Sequence, residues 1–286
     1  MNMKKILAGL IFTSSGLFTV GASAALVTNW DWTSDGGFVT GAATCSNGAE
    51  AACNLQYDNA SGVTPSGVAG TASVMTWGTP STSPGANGNQ SGLQGVFGAS
   101  GAGPYDAQLL GSGPIAIPLF PQLITNNGWS NTGAAVHYNN IITSNGGHMD
   151  TSKLTTTFQL LAPLAGPVNS TDIDIEFLES NNTAPCPGAN PHGTVCDDVF
   201  SVSSLPPPIV FMYDGITYTL SFQFADGPGA IVDGNTIYTA EEAPGTAVMF
   251  VQARIDARVI PVPGVLALMG MGLILLGWRV RGRKAY

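Results

Sequence analysis

The stretch IVFMYDGITYTLSFQF, residues Ile209 to Phe224, indicates the fold class of this chain. Two runs rich in β-branched and aromatic residues flank the dipeptide Asp214-Gly215. An Asp-Gly pair in that setting is typical of the tight turn of a β-hairpin. A hairpin pairs two antiparallel strands that are neighbours in the sequence. The stretch therefore predicts antiparallel β-structure.

Similar apolar or β-branched runs recur on both sides of this hairpin. They cover residues 26–32, 72–77, 114–125, 134–143, 154–161, 172–178 and 246–255. No segment upstream of the C-terminal tail has the apolar period of an amphipathic helix. Stretches rich in Gly, Pro and Asn separate the runs. We therefore predict one all-β domain over residues 25–258, with a β-sandwich or jelly-roll-like fold.

The N-terminus has the pattern of a secretory signal peptide over residues 1–24. Lys4 and Lys5 precede an apolar run over residues 6–20, and Ala22, Ala24 and Ala25 provide the small residues of a cleavage site. This pattern predicts that the chain is exported and that the mature protein begins near Ala25. A retained N-terminal anchor is the alternative interpretation.

The C-terminal segment, residues 259–286, combines a proline-containing joint, a short apolar stretch and a basic end. The stretch from Val265 to Trp278 is uncharged. As a helix it would cover about 21 Å, which is short against a hydrocarbon core of about 30 Å. The basic end would hold the C-terminus on the cytoplasmic side by the positive-inside rule. We predict a single-pass membrane anchor, with a buried core helix as the alternative. The anchor residues are Val265, Leu266, Leu268, Leu273, Ile274, Leu275, Leu276 and Trp278, and the basic stop is Arg279, Arg281, Arg283 and Lys284.

The charges of the chain are unevenly distributed. Residues 25–258 contain all 18 acidic residues and three basic ones, Lys153, Arg254 and Arg258, which gives this stretch a net charge of −15. A surface this acidic repels the phosphates of nucleic acids, so the composition argues against nucleic-acid binding. It suits cation binding or simple solubility.

The four cysteines form two pairs that are local in the sequence. An exported chain folds in an oxidising compartment, so we predict the disulfides Cys45–Cys53 and Cys186–Cys196. Four cysteines allow three connectivities, and sequence proximity alone favours this one. A zinc site is the alternative, although the chain lacks a C-x-x-C pair.

Asp172, Asp174 and Glu176 alternate with apolar residues in one of the predicted strands. The alternation places the three carboxylates on one face of the strand, about 7 Å apart. A bound Ca²⁺ would relieve their repulsion, with further oxygens from Asn181, Asn182, Asp197 and Asp198. The alternative is a solvent-exposed sheet face. Paired carboxylates would also suit glycoside hydrolysis, but the chain contains neither a nucleophile-elbow nor a zinc-protease motif.

A dense polar cluster, His137-Tyr138-Asn139-Asn140, interrupts the apolar run at 134–143. In a strand, His137 and Asn139 would share one face and Tyr138 and Asn140 the other. If these side chains are buried, they need hydrogen-bond partners, and a structural network is then one interpretation. The other is a carbohydrate-contact site in which Tyr138 or Trp129 stacks on a sugar ring.

The tail as a whole resembles the PEP-CTERM sorting signal. The resemblance lies in Pro261-Val262-Pro263-Gly264, the apolar segment and the Arg-rich end, with Val262 where that signal usually has glutamate. The upstream domain is similar to the THxN family of PEP-CTERM proteins, with Val136 where the name motif has threonine. The segments that carry this second resemblance are TWGT at 76–79, SGL at 91–93, VHYNNI at 136–141, FLESNN at 177–182, Cys186 and CDDVF at 196–200.

The resemblance implies a Gram-negative envelope protein that an exosortase-type transpeptidase processes, in a system associated with exopolysaccharide and biofilm matrix. It implies no catalytic activity. The expected function is that of an exported, non-catalytic envelope or matrix protein, which the tail holds in the inner membrane before processing. Its expected partners are the secretion machinery, the sorting enzyme and exopolysaccharide, and calcium is the one cofactor considered. The alternatives are a carbohydrate-binding module for exopolysaccharide and a secreted glycan hydrolase.

Overall fold

The computed structural model describes residues 25–46, 48, 50–59, 66–82, 88–107, 115–143, 147–180, 185–186, 188–193, 196–203, 205–240, 245–258 and 270–274. Leu26–Ile260 forms one compact unit. The predicted signal peptide lies outside the described residues, as does the predicted sorting motif, Pro261 to Gly264. Of the predicted tail, only residues 270–274 are described, and they are helical. Within the described parts of the chain, no helix is both long enough and apolar enough to cross a bilayer.

The described residues form mostly β-strands, and the prediction of an all-β fold is confirmed. The strands are β1 (Asn29–Val39), β2 (Thr44–Cys45), β3 (Gln56–Asp58), β4 (Thr71–Ala72), β5 (Val74–Trp77), β6 (Ser91–Val96), β7 (Tyr105–Ala107), β8 (Ile115–Ile117), β9 (Leu123–Ile124), β10 (Ser130–Asn139), β11 (Met149–Ala162), β12 (Asn169–Leu178), β13 (Asp198–Val202), β14 (Ile209–Tyr213), β15 (Ile216–Ala225), β16 (Ala230–Asp233), β17 (Thr236–Thr239) and β18 (Gly245–Arg258). A single 3-10 turn, Glu50–Cys53, interrupts the described strands between β2 and β3.

The larger of the two main sheets is antiparallel and has nine strands among the described residues. Its order is β16-β17-β13-β12-β11-β1-β4, with β2 paired to β11 and β9 paired to β1. The long strand β11 lies between β1 and β12. Strand β12 alternates as its sequence predicts, because Ile173, Ile175 and Phe177 are buried while the acidic residues between them are exposed.

The second main sheet has the order β14-β15-β18-β10-β6-β5-β3. Its edge is the hairpin predicted at Asp214-Gly215, where Tyr213 pairs with Ile216. Asp214 and Gly215 have φ angles of 47° and 75°. Positive φ at both central residues is the requirement of the type I′ turn, which Asp-Gly satisfies with little strain.

The two sheets share one apolar core. The nine-stranded sheet contributes Phe38, Ile175, Phe177, Phe200 and Ile237, and the seven-stranded sheet contributes Met75, Trp77, Leu93 and Ala247. These residues occupy alternate positions of their strands, so each sheet turns one apolar face toward the other. The contact between the two sheets therefore buries a continuous apolar cluster.

The apolar run at 114–125 does not form one strand. It breaks into β8 and β9, which belong to different sheets. Pro118 and Pro121 lie in the gap between them. Proline lacks the N–H that a sheet needs, so the break follows from the sequence.

Both predicted disulfides are confirmed. Cys45 pairs with Cys53 and Cys186 with Cys196, with Cα–Cα distances of 5.7 and 5.2 Å. Cys45 and Cys53 are buried in the shared core and fix the 3-10 turn to β2. The second disulfide closes the loop between β12 and β13, in which the imidazole of His192 lies 2.9 Å from a carboxylate oxygen of Asp197.

Candidate functional site

The polar cluster at 137–140 lies inside the protein and not on its surface. His137, Tyr138 and Asn139 end strand β10, which is held between β6 and β18, and Asn140 follows directly. The four residues are between 0% and 4% exposed. A sugar ring cannot stack on a side chain that solvent does not reach, so the prediction of a carbohydrate contact at Tyr138 is wrong. The other predicted stacking residue, Trp129, is half-buried, and the guanidinium carbon of Arg254 lies 4.7 Å from its ring centre.

Tyr138 and Asn140, which are buried on the face of β10 opposite to His137 and Asn139, make structural hydrogen bonds. The Tyr138 hydroxyl donates to the Gln94 side chain at 2.8 Å. Asn140 donates its side-chain amide to the carbonyl of Gln90 at 2.6 Å, and its own carbonyl accepts from the Ser91 hydroxyl at 2.9 Å. These bonds satisfy polar groups that would destabilise the fold if they were buried without partners.

The inward-facing Asn139 joins the two sheets. Its side-chain amide donates to Oδ2 of Asp198 at 2.7 Å, and Oδ1 of Asp198 accepts from the backbone N–H of Ser180 at the same distance. Asp198 is fully buried at the start of β13. Its carboxylate, expected as a calcium ligand, thus serves as a buried acceptor for β10 and for the end of β12.

His137 faces the same interior beside an aromatic group. Its ring stacks nearly parallel to Trp77, with centres 6.0 Å apart, and meets Phe200 edge-on at 4.9 Å. Nδ1 lies 3.0 Å from the hydroxyl of Thr239 on β17. Burial lowers the pKa of His137 from 6.5 to about 3, because the charged form loses its hydration. Nε2 has no hydrogen-bond partner among the described residues.

A cavity of about 100 Å³ lies between the two sheets, and His137 is part of its wall. Its floor on the seven-stranded sheet includes small residues from three adjacent strands, beside the larger Leu93, Met249 and Val251. The small residues are Gly95 on β6, Gly133 and Ala135 on β10, and Ala247 on β18. Ala135 pairs with Gly95 on one side and with Met249 on the other, whereas Ala247 pairs with His137.

The opposite wall comes from the nine-stranded sheet and is apolar at its centre. Leu154, Ile173, Phe200 and Ile237 form that centre. The described residues that line the cavity include no acidic or basic side chain apart from His137. A pair of carboxylates, which glycoside hydrolysis requires, is therefore not found at this cavity.

The acidic face of β12 lies beside a lysine of the neighbouring strand. Lys153 of β11 lies directly opposite Asp174, and its Nζ is 3.5 Å from Asp174 and 3.8 Å from Asp172. The described residues contain no group of three His, Cys, Asp or Glu side chains placed to hold a metal ion. Lys153 thus provides a positive charge beside Asp172 and Asp174, two of the three carboxylates at which the sequence led us to expect Ca²⁺. Of the further expected ligands, Asn181 and Asn182 lie outside the described residues.

No protein-family model matches the chain, and no curated protein matches it. The site that the structure does bring together is the cavity with His137 in its wall. The sequence pattern singled out His137 but not the small residues of the floor, which lie on strands that are far apart in the chain.

Proposed function

We propose that this chain is an exported, non-catalytic cell-envelope protein whose C-terminal tail directs its sorting. The observation that carries the proposal is the pair of disulfides, Cys45–Cys53 and Cys186–Cys196. Structural disulfides form and persist in oxidising compartments outside the cytosol. This supports export, in agreement with the signal-peptide pattern at residues 1–24.

The positions of the segments that resemble THxN proteins also support the proposal. Four of these segments each contribute one ring to a single cluster. The rings are those of Trp77, His137, Phe177 and Phe200, with neighbouring centres 4.5–6.0 Å apart. Residues that form one packing unit must suit each other in shape, so a family of this fold would carry them together.

The proposal of a non-catalytic role rests on the use of the buried polar groups. Asn139, Asn140 and Asp198 form hydrogen bonds between or within the sheets. Such contacts stabilise a fold and require no substrate. The shared core of two stacked sheets further supports a β-sandwich as the architecture of the exported domain.

Processing of the tail is tested in cells that contain or lack an exosortase-type enzyme. The full chain and a chain truncated after Ile260 are each expressed with the natural N-terminus. The account predicts that the full chain is shortened only when the enzyme is present, and that the truncated chain is exported without being held in the membrane. A full chain of unchanged length in both kinds of cell would contradict sorting.

The atypical Val262 offers a matched control for the same experiment. Val262→Glu restores the usual residue between Pro261 and Pro263, so processing is expected to proceed at least as fast as in the natural chain. Pro261→Ala with Pro263→Ala removes the motif and is expected to leave the tail uncut. Equal processing of all three chains would show that the motif is not what the enzyme recognises.

A further inference from the structure

We propose that the end of the domain at which the chain enters and leaves docks on a lipid bilayer through a patch of exposed apolar side chains, the apolar cap. The apolar cap consists of the loop between β11 and β12, residues 162–168, with the neighbouring Leu161, Leu26 and Ile124. The inference deepens the proposed function and rests on it, because the predicted C-terminal tail is what holds the domain beside the membrane.

The apolar cap and both ends of the domain lie at the same end of the two sheets. In the nine-stranded sheet, Asp31 near the start of β1 pairs with Ala162 at the end of β11. Strand β9 also pairs with the start of β1, and Asn126, just after β9, donates from its backbone N–H to the carbonyl of Ile255 near the end of β18. The Asn126 side chain accepts from the backbone N–H of Ala257 at 2.9 Å. The end of β18 therefore lies beside the start of β1, which pairs with the strand that leads into the loop.

The side chains of the apolar cap are exposed although they are apolar. Leu161 is 43% exposed and Val168 is 59% exposed, while Leu26 and Ile124 are 38% and 42% exposed. The stretch 154–171 contains no charged residue, in a domain whose net charge is −15. Exposed apolar patches of this kind mark sites of contact with a protein or a membrane. The other exposed residues of the loop are Ala162, Pro163, Ala165 and Pro167.

The charges at this end of the domain suit a phospholipid surface. Arg254 and Arg258, near the end of β18, are two of the three basic residues of the domain. Nε of Arg254 lies 2.8 Å from the carboxylate of Asp256, and Arg258 is exposed. The carboxylate of Asp31 accepts a hydrogen bond from Gln122 at 2.6 Å. Phosphate headgroups attract basic side chains, so the arginines favour this end of an otherwise acidic domain as the one that faces a bilayer.

The chain that follows β18 limits how far the domain can stand from the membrane. Strand β18 ends at Arg258, and six residues, 259–264, separate it from the predicted apolar stretch that begins at Val265. Six extended residues span at most about 20 Å. A short tether gives a high effective concentration, so even a weak apolar contact is enough to dock a domain held this close. This argument selects a bilayer over a second copy of the chain as the surface that the apolar cap contacts.

The proposal is tested with the oxidised full chain held in phosphatidylcholine nanodiscs by its own tail. Some of the lipids carry a nitroxide on the acyl chain, which broadens the NMR signals of methyl groups that approach the bilayer. The methyl signals of Ile124, Leu161 and Val168 are expected to broaden. Leu178 is the internal control because it is 45% exposed but ends β12, about 30 Å from the loop. Its signals are expected to stay sharp.

Two variants separate docking from simple tethering. Leu161→Glu with Val168→Glu places charges in the apolar cap at exposed positions, so the ratio of docked to undocked molecules is expected to fall at least about tenfold. The Ile124 signal, which this variant keeps, is then expected to sharpen. Leu178→Glu is the matched control for an added charge on an exposed leucine and is expected to leave the broadening unchanged. Thermal unfolding of each variant without lipid checks that the fold is retained.

A second arm of the experiment replaces the tail, so that failure of the anchor and failure of the docking are distinguishable. The chain truncated after Ile260 carries a C-terminal polyhistidine, which binds nickel-chelating lipid in the same nanodiscs. The same broadening of the apolar cap is expected. If the full chain stays out of the nanodiscs while the tethered chain shows this broadening, the predicted anchor is wrong and the docking surface is supported.

Three results would overturn the proposal. Equal broadening of Leu161 and Leu178 would show that the domain turns freely on its tether. Broadening of Ile124 that persists in the double glutamate variant would show that the loop is not what contacts the lipid. Shifts of the Leu161 and Val168 signals with protein concentration in the absence of lipid would identify a second copy of the chain as the partner instead.

Discussion

Replacing Ala135 by valine adds two methyl groups to the floor of the cavity. Ala135 lines the cavity and is not fully buried, although it faces the interior of the domain. Burying an additional methyl or methylene group is worth about 0.8 kcal/mol, so the substitution is expected to raise the free energy of unfolding by about 1.5 kcal/mol. For a domain of this size, about 2–4 °C per kcal/mol converts this gain into a rise in Tm of roughly 3–6 °C.

Ala253 provides the matched control for this prediction. It lies on β18 of the same sheet, faces the interior as Ala135 does, and is 0% exposed without lining the cavity. Ala253→Val therefore adds the same two methyl groups where the packing leaves no space. Overpacking of this kind costs about 1–3 kcal/mol, so the Tm of this variant is expected to fall.

Thermal unfolding of the oxidised protein, followed by circular dichroism and by calorimetry, measures both variants against the natural chain. Opposite signs for Ala135→Val and Ala253→Val are the predicted result. A similar fall in Tm for both variants would mean that the space beside Ala135 is as tightly packed as that beside Ala253. That outcome would refute the presence of unfilled space beside Ala135.

Three further predictions follow from the interior contacts. Replacing Cys45 and Cys53 together by serine is expected to lower the free energy of unfolding by about 2–3 kcal/mol, the value for so short a loop, and an unchanged denaturation midpoint would contradict it. Burial lowers the pKa of His137 to about 3, so as the pH falls this histidine is protonated in the unfolded chain before it is protonated in the folded one. The neutral His137 therefore contributes its full stability above about pH 6.5, and that stability decreases as the pH falls toward 3. Between pH 7.5 and 5 the loss of stability due to His137 is about 2 kcal/mol. In His137→Gln this loss should be absent when the free energy of urea unfolding is measured against pH. The same pH dependence in the variant and in the natural chain would contradict this prediction. Asp198→Ala is expected to lower the free energy of unfolding by about 3 kcal/mol because it removes a buried hydrogen-bond acceptor. The control Asp174→Ala, on the exposed face, should change the free energy of unfolding by less than about 0.5 kcal/mol. Equal effects of the two substitutions in chemical denaturation would argue against the hydrogen-bonded bridge between the sheets.

The sequence predicts local features of this fold well because their causes are local. The Asp214-Gly215 turn depends on two residues that tolerate positive φ. The alternation of Ile173, Ile175 and Phe177 depends on the period of a strand with one buried face. The two disulfides join cysteines 8 and 10 positions apart, so proximity in the chain was enough to predict them.

The candidate site was only partly predictable because its causes are not local. The sequence marks His137 and Asn139 as polar residues in an apolar run, but their partners Thr239 and Asp198 lie 102 and 59 positions away. Burial of the cluster depends on those partners, and without them an exposed binding surface stayed open as the alternative to a structural network. The floor of the cavity depends on the register between β6, β10 and β18, which no single segment of sequence contains.

The expectation of calcium at Asp172, Asp174 and Glu176 was made without knowledge of the neighbouring strand. A run of acidic residues on one strand indicates that the carboxylates repel one another. It does not show which positive charge reduces that repulsion. Pairing of β11 with β12 places Lys153 opposite Asp174, so the neighbouring strand provides the counter-charge. Only the order of strands in the sheet could have distinguished a lysine from a metal ion.

The most direct test of the central claim is intact-mass spectrometry of the mature protein isolated from the cells that make it. We predict a chain that begins near Ala25, lacks the four thiol hydrogens of its two disulfides and ends near Pro263, at the predicted sorting motif. A chain that retains residues 1–24 and carries four free thiols would contradict export. A chain that begins near Ala25 but retains Trp278 and Arg279 would contradict sorting and would identify the tail as a permanent anchor.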